Sequence, residues 1–204
     1  MRLSSASVAG CIHLPVKQTI QVLSLSPLPT EGRAVRFVLS PAFLPLMATT
    51  MTERSHGVLE VDLTFSENAG LVALARDPNR THMREWGDAP IDKTDDLLEC
   101  SATNYEAIHV AALACVRDPA FGEFEKTRDG NSAVVQVAVD GEVFEACGEI
   151  ASPPALSFTV AQLIVKELCT MPWSASLVPK IKDVEHYLDL LSRESARTRA
   201  VRCT

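Results

Sequence analysis

The chain has 204 residues, 47% of them hydrophobic and 22% charged, with a net charge of −7. That supplies enough apolar material for one packed domain with an appendage. With only 5% aromatic residues, the core must come mainly from Val, Leu, Ile and Ala. An acidic body repels a phosphate backbone, so nucleic acid is not the expected partner.

Residues 1–50 differ from the rest. They are rich in Ser and Pro, and residues 1–46 carry about +3 of charge, which leaves about −10 on the remainder. Three readings fit: an organellar transit segment, upstream sequence joined to a protein that starts at Met47 or Met51, or a secretory or lipoprotein signal built on "VAGC" at 8–11. Each treats 1–50 as a poorly ordered leader outside the fold. No run of eighteen apolar residues occurs, so no membrane span is expected.

The expected domain occupies 56–195. "GVLEVDLTF" (57–65) alternates apolar and polar residues and reads as a strand with one wet face. Ser66 is placed to cap a helix "ENAGLVALARD" that Pro78 ends. After a polar stretch, "DLLECSA" (96–102) reads as a second strand. Thr103 and Glu106 then have capping-box spacing for the helix "NYEAIHVAALACVRD". "LVALARDP" (71–78) and "AALACVRDP" (111–119) thus look like one strand–cap–helix unit written twice.

"FGEFEKT" (121–127), "SAVVQVAV" (132–139) and "EVFEACGEI" (142–150) read as a three-stranded meander. Its second turn is Asp140-Gly141, a pair suited to the positive φ angles of a tight hairpin. Ser152 and Pro153 open a nearly engulfed helix to 171, with a polar stripe of Thr159, Gln162, Lys166 and Thr170. A last amphipathic helix, about 177–194, lies beyond "MPW", and 196–204 is a frayed tail.

The order β-α-β-α-β-β-β-α-α predicts an α+β two-layer sandwich: a mostly antiparallel five-stranded sheet with helices on one face. The stretch "VVQVAVDGEVFEACGE", between the two helices of 103–171, resembles the middle of the double-stranded-RNA-binding domain. The resemblance implies a fold for about a third of the chain. That family's phosphate-gripping lysines would fall in "SPPALSF" (152–158), which has no basic residue. A degenerate copy used for protein contacts is the form the resemblance implies.

The candidate sites are few. None of the six cysteines forms a C-x-x-C pair, and the pattern suits an intracellular reducing compartment: cytoplasm, or organelle matrix if 1–46 is a transit segment. Cys100, near a helix cap, is the candidate reactive thiol. His109 is some 9 Å further along the helix axis, too far to act as its base, by about 1.5 Å of rise per residue. Asp88, Asp92, Asp95 and Asp96 are the candidate cation ligands. No nucleophile elbow or phosphate loop occurs, and no cofactor is expected. Trp173, Leu177, Ile181, Val184, Tyr187, Leu188 and Leu191 form an apolar seam on the last helix, either core or docking face. The preferred expectation is a non-catalytic interaction or assembly subunit that binds a protein partner or a second copy through that helix. The alternatives are a small enzyme or ligand binder using Cys100 or the 88–96 carboxylates, and a degenerate RNA-binding-like domain.

Overall fold

The computed structural model describes residues 23–41, 44–54, 58–69, 92–101, 104–122, 132–150 and 153–202. Five of these segments contain six strands: β1 (Ala34–Ser40), β2 (Pro45–Glu53), β3 (Val58–Ala69), β4 (Lys93–Ser101), β5 (Ser132–Val139) and β6 (Glu142–Glu149). Four helices accompany them: α1 (Tyr105–Arg117), the single turn α2 (Pro119–Gly122), α3 (Leu156–Leu168) and α4 (Leu177–Arg202). The strands form one sheet in the order β4-β3-β2-β1-β5-β6, and every neighbouring pair is antiparallel. The α+β class is as expected, with six strands instead of five.

The largest correction concerns residues 34–53. They are no leader: β1 and β2 are the two central strands, and β1 bridges the β2–β4 meander to the β5–β6 hairpin. Val35, Phe37 and Leu39 join the main core with 0–1% exposure. Met47 and Met51, considered above as start codons, are fully buried core residues of β2. The physical reason for the miss is that β1 is covered on both faces. Such a strand reads as a continuous apolar run without alternation.

Several local expectations also change. Ser66 caps no helix; it lies within β3, and its Oγ accepts the Leu46 N–H at 2.9 Å. Glu67 to Ala69 continue β3, so the proposed helix does not begin there, and its remainder falls outside the described residues, as does "LVALARDP". Phe121 and Gly122 are in α2 instead of a strand, with 123–127 outside the described residues. The neighbour of β5 opposite β6 is therefore β1, not a strand from 121–127. Thr103 and Ser152 also lie outside the described residues. Asn104 is the N-cap of α1, and Glu106 reaches Arg33 instead of closing a capping box. α3 begins at Leu156, past Pro153 and Pro154, and α4 runs on to Arg202 through the expected tail.

Other features form as the residues dictate. Asp140 and Gly141 both have positive φ, 53° and 80°, as the tight β5–β6 turn requires. The stripe Thr159, Gln162, Lys166 and Thr170 is exposed, while Phe158, Val160, Ala161, Ile164, Val165 and Leu168 are buried. Trp173 ends α3: its ring is buried and its Nε1–H donates to the Leu168 carbonyl at 2.8 Å.

The helices cover one face of the sheet. α1 packs on β5, β6 and β1, α3 packs on α1, and α4 packs on α3. Side chains alternate along each strand, so Val35, Phe37, Leu39, Met47, Met51, Leu59, Val61, Leu63, Phe65, Ala133, Val135 and Val137 all face this layer. Gly148 lets α2 press against β6: a Cβ there would sit 1.8 Å from the Phe121 carbonyl oxygen, so only glycine fits.

Candidate functional site

The opposite face carries the polar half of each alternation. Cross-strand pairing sets Leu97, Asp62, Thr50, Arg36, Gln136 and Glu145 in one row from β4 to β6. At its centre Arg36 is only 4% exposed. Its guanidinium donates to Thr50 Oγ1 at 2.9 Å, Gln136 Oε1 at 3.3 Å and the Ser26 carbonyl at 2.7 Å. Gln136 in turn donates to Glu145 Oε2 at 2.5 Å. Arg36 is thus a buried cation satisfied chiefly by neutral acceptors, and burial pulls its pKa down. The row also needs Ser26, in the segment ahead of β1, so residues read as a leader supply part of the lining on this face.

At one end of the central strands lies a second cluster. Arg33 pairs with Glu53 and Glu106, each at 2.7 Å, and its Cζ lies 5.6 Å from the Tyr105 ring centre. One turn along α1, the His109 ring is 5.9 Å from that of Tyr105. Tyr105 Oη and His109 Nε2 are both buried without a hydrogen-bond partner among the described residues, while His109 is bonded to the Ala138 backbone. Burial, then the Arg33 charge, holds His109 below the ordinary histidine pKa. Burial raises Tyr105, so its phenol stays protonated. This cluster ties β1, β2 and α1 together.

The expected sites fall in different places. Cys100 lies on β4 opposite Leu59 and packs partly buried against the core. Burial and then the Glu167 charge push its thiol pKa up, the opposite direction to activation by a helix end. Burial pushes Cys115 up to about 12. Asp95 pairs with Thr64 and Asp96 with Leu63, so the two adjacent carboxylates project from opposite faces of β4. They cannot converge on one cation. Asp96 instead accepts the N–H of Leu97 at 3.0 Å and of Ser174 at 3.3 Å. Asp92 is exposed before β4, and its carbonyl accepts the Glu67 N–H. Asp88 lies outside the described residues. Among the described residues, no group of three or more His, Cys, Asp or Glu is arranged to hold a metal ion.

The seam of the last helix faces inward. Trp173, Leu177, Ile181, Val184 and Leu188 are buried in the main core, and Tyr187 and Leu191 pack against it. Among the described side chains, the large apolar ones that α4 leaves outside are Val178 and Leu190, 43% and 45% exposed.

Sequence reasoning found β4 but not what its position means. Among the described residues β4 has a neighbour only on the β3 side, and its Leu97 is 57% exposed. Glu67 N–H donates to the Asp92 carbonyl across the β3–β4 pair, and antiparallel pairing alternates. Continuing that alternation turns the backbone groups of Lys93, Asp95, Leu97 and Glu99 away from the sheet. The side chains of these four residues share the open face. Around Leu97 stand Asp62, Asp95 and Glu99, with Glu60 bonded to Arg54 at 2.5 Å. Partial desolvation by the surrounding sheet, then the Asp95 charge, raises the Asp62 pKa even though its side chain is exposed. The usual signal for a docking edge is alternation without a pairing partner, and only the three-dimensional strand order reveals that.

Comparison with protein families and with curated proteins gives no match to this chain. No helix among the described residues is long and apolar enough to cross a membrane.

Proposed function

We propose that this protein is a non-catalytic interaction or assembly subunit, and that its docking element is the β4 edge, which has no second partner strand among the described residues. The observation that carries this is a nine-residue edge strand with a leucine 57% exposed at its middle. An edge strand offers a row of unpaired N–H and C=O groups, and adding a strand satisfies them. The terminal helix is less suited to the role because its apolar seam is already spent on the chain's own core. The raised thiol pKa of Cys100 and the opposed directions of Asp95 and Asp96 favour this reading over one based on chemistry at those residues.

The test is the mass of the assembly in the native cell. A tagged full chain is sized by exclusion chromatography with light scattering, beside Leu97→Pro. Proline is tolerated on an edge strand where the N–H faces outward, so the fold should persist, checked by circular dichroism. The reading expects the wild-type chain well above its monomer mass of 22.1 kDa, and the variant at it. A wild-type monomer, or an assembly that a folded variant leaves unchanged, would contradict it.

A further inference from the structure

Resting on that reading of the edge, we infer that β4 accepts a basic extended segment as a seventh strand, with basic residues at positions i and i+4 and an apolar residue at i+2.

The spacing follows from the register. Asp95, Leu97 and Glu99 share the open face, so the carboxylates flank the exposed leucine. Four residues along a strand span about 13 Å at roughly 3.3 Å each. Directly opposed side chains on a paired strand are about 5 Å apart at Cβ, close enough for Lys or Arg to meet Asp95 and Glu99. The residue between them covers Leu97, the apolar centre of the patch. Asp62, one strand behind, adds negative potential. Three cations stand nearby: Lys93 at the start of β4, Arg36 on β1, which partly offsets the charge of Asp62, and Arg54, bonded to Glu60 and close enough to sense Glu99. None forms an ion pair with Asp95 or Glu99 among the described residues.

Charge selects the occupant. A second copy pairing antiparallel about Leu97 would set Asp95 against Glu99 of its partner twice over. Like charges directly opposed on a sheet are destabilising, so self-pairing is discouraged. The same carboxylates attract a basic strand. On the other face of β4, Leu98 packs partly buried against the core, so the added strand would set a small or apolar side chain beside it.

The test uses three synthetic peptides with the purified full chain: lysine-threonine-valine-threonine-lysine flanked by threonines, its glutamate counterpart, and one with the lysines three apart. Affinity is read by fluorescence anisotropy, and the location by amide exchange at Asp95 and Glu99. The lysine peptide should bind, protect those amides, and weaken by about tenfold from low to physiological salt as screening sets in. The glutamate and shifted peptides should bind at least about tenfold more weakly, a difference of about 1.4 kcal/mol. The double variant Asp95→Lys/Glu99→Lys, whose changes are both on an exposed face, should reverse the preference toward glutamate. Binding that ignores peptide charge, that survives the charge swap unchanged, or that is absent for all three peptides would overturn the inference. If the lysine peptide fails while Leu97→Pro still reduces the native assembly to monomer, only the charge rule falls. If the lysine peptide binds as described but the native assembly ignores Leu97→Pro, the inference stands and the assembly reading falls.

Discussion

β1 and β4 belong to one sheet, and both take antiparallel partners, yet they occupy opposite environments. Every β1 residue from Ala34 to Leu39 is buried, including the charge of Arg36. In β4 no residue from Lys93 to Cys100 is fully buried, and its Leu97 is more than half exposed. β1 is held by neighbours on both edges and cover on both faces; among the described residues β4 is held on one edge. Stability therefore concentrates at β1, and freedom to recruit a partner lies at the edge strands, where β4 exposes Leu97 more fully than β6 exposes Val143. The strand that first looked like leader carries the fold, and the strand that looked like an ordinary half-buried element offers the surface.

The sharpest way to break this contrast is to delete β1. A chain beginning at Met47 loses the shared neighbour of β2 and β5 and the Phe37 packing with it. Domains hold only about 5–15 kcal/mol in total, so this chain should show no cooperative thermal transition. Next in size, Phe37→Ala should cost about 3–5 kcal/mol in urea unfolding, as a fully buried ring replaced by a cavity does. Arg36→Ala should cost about 2–3 kcal/mol, because Thr50, Gln136 and the Ser26 carbonyl lose their buried donor. Arg36→Met should cost less, since both variants remove the buried charge but methionine also fills the space that alanine would leave empty.

A smaller effect comes from pH. His109 titrates below its ordinary value when folded, so the unfolded chain takes up its proton first as pH falls. Its contribution is intact above the unfolded value of 6.5 and declines as pH drops through that value toward the folded one. Thermal melts should show a decline below about pH 6.5 that His109→Gln flattens. The groups around it are Arg33, Glu53 and Glu106. Smallest of all, Leu97→Lys should change stability by no more than about 0.5 kcal/mol, as exposed substitutions do. It should still remove edge docking, which would separate the two roles.

Much of the fold was legible in the residues. Alternation marked β3, β4, β5 and β6; Asp140-Gly141 marked the hairpin; and the polar stripe from Thr159 to Thr170 oriented α3. β1 was not legible, because "AVRFVLS" is buried on both faces and follows a Ser- and Pro-rich, acid-poor stretch that imitates a targeting segment. Ser66 misled because a residue that caps a helix can equally bond the backbone of a neighbouring strand, here at Leu46. The candidate edge was half legible: the pattern of "DLLECSA" identified a strand but not its place in the sheet. The seam from Leu177 to Leu191 posed the converse difficulty, since an amphipathic stripe looks the same whether its partner is the chain's own core or another molecule.

Native-state hydrogen exchange followed residue by residue tests the contrast between β1 and β4 most directly. The account expects the amides of Val35 to Leu39 to exchange only through global unfolding, with protection tracking the full stability of the domain. It expects the outward amides of Asp95 and Glu99 to exchange through local opening, orders of magnitude sooner. If Val35 to Leu39 exchange as readily as Asp95 and Glu99, β1 is not the centre of this sheet and the account fails.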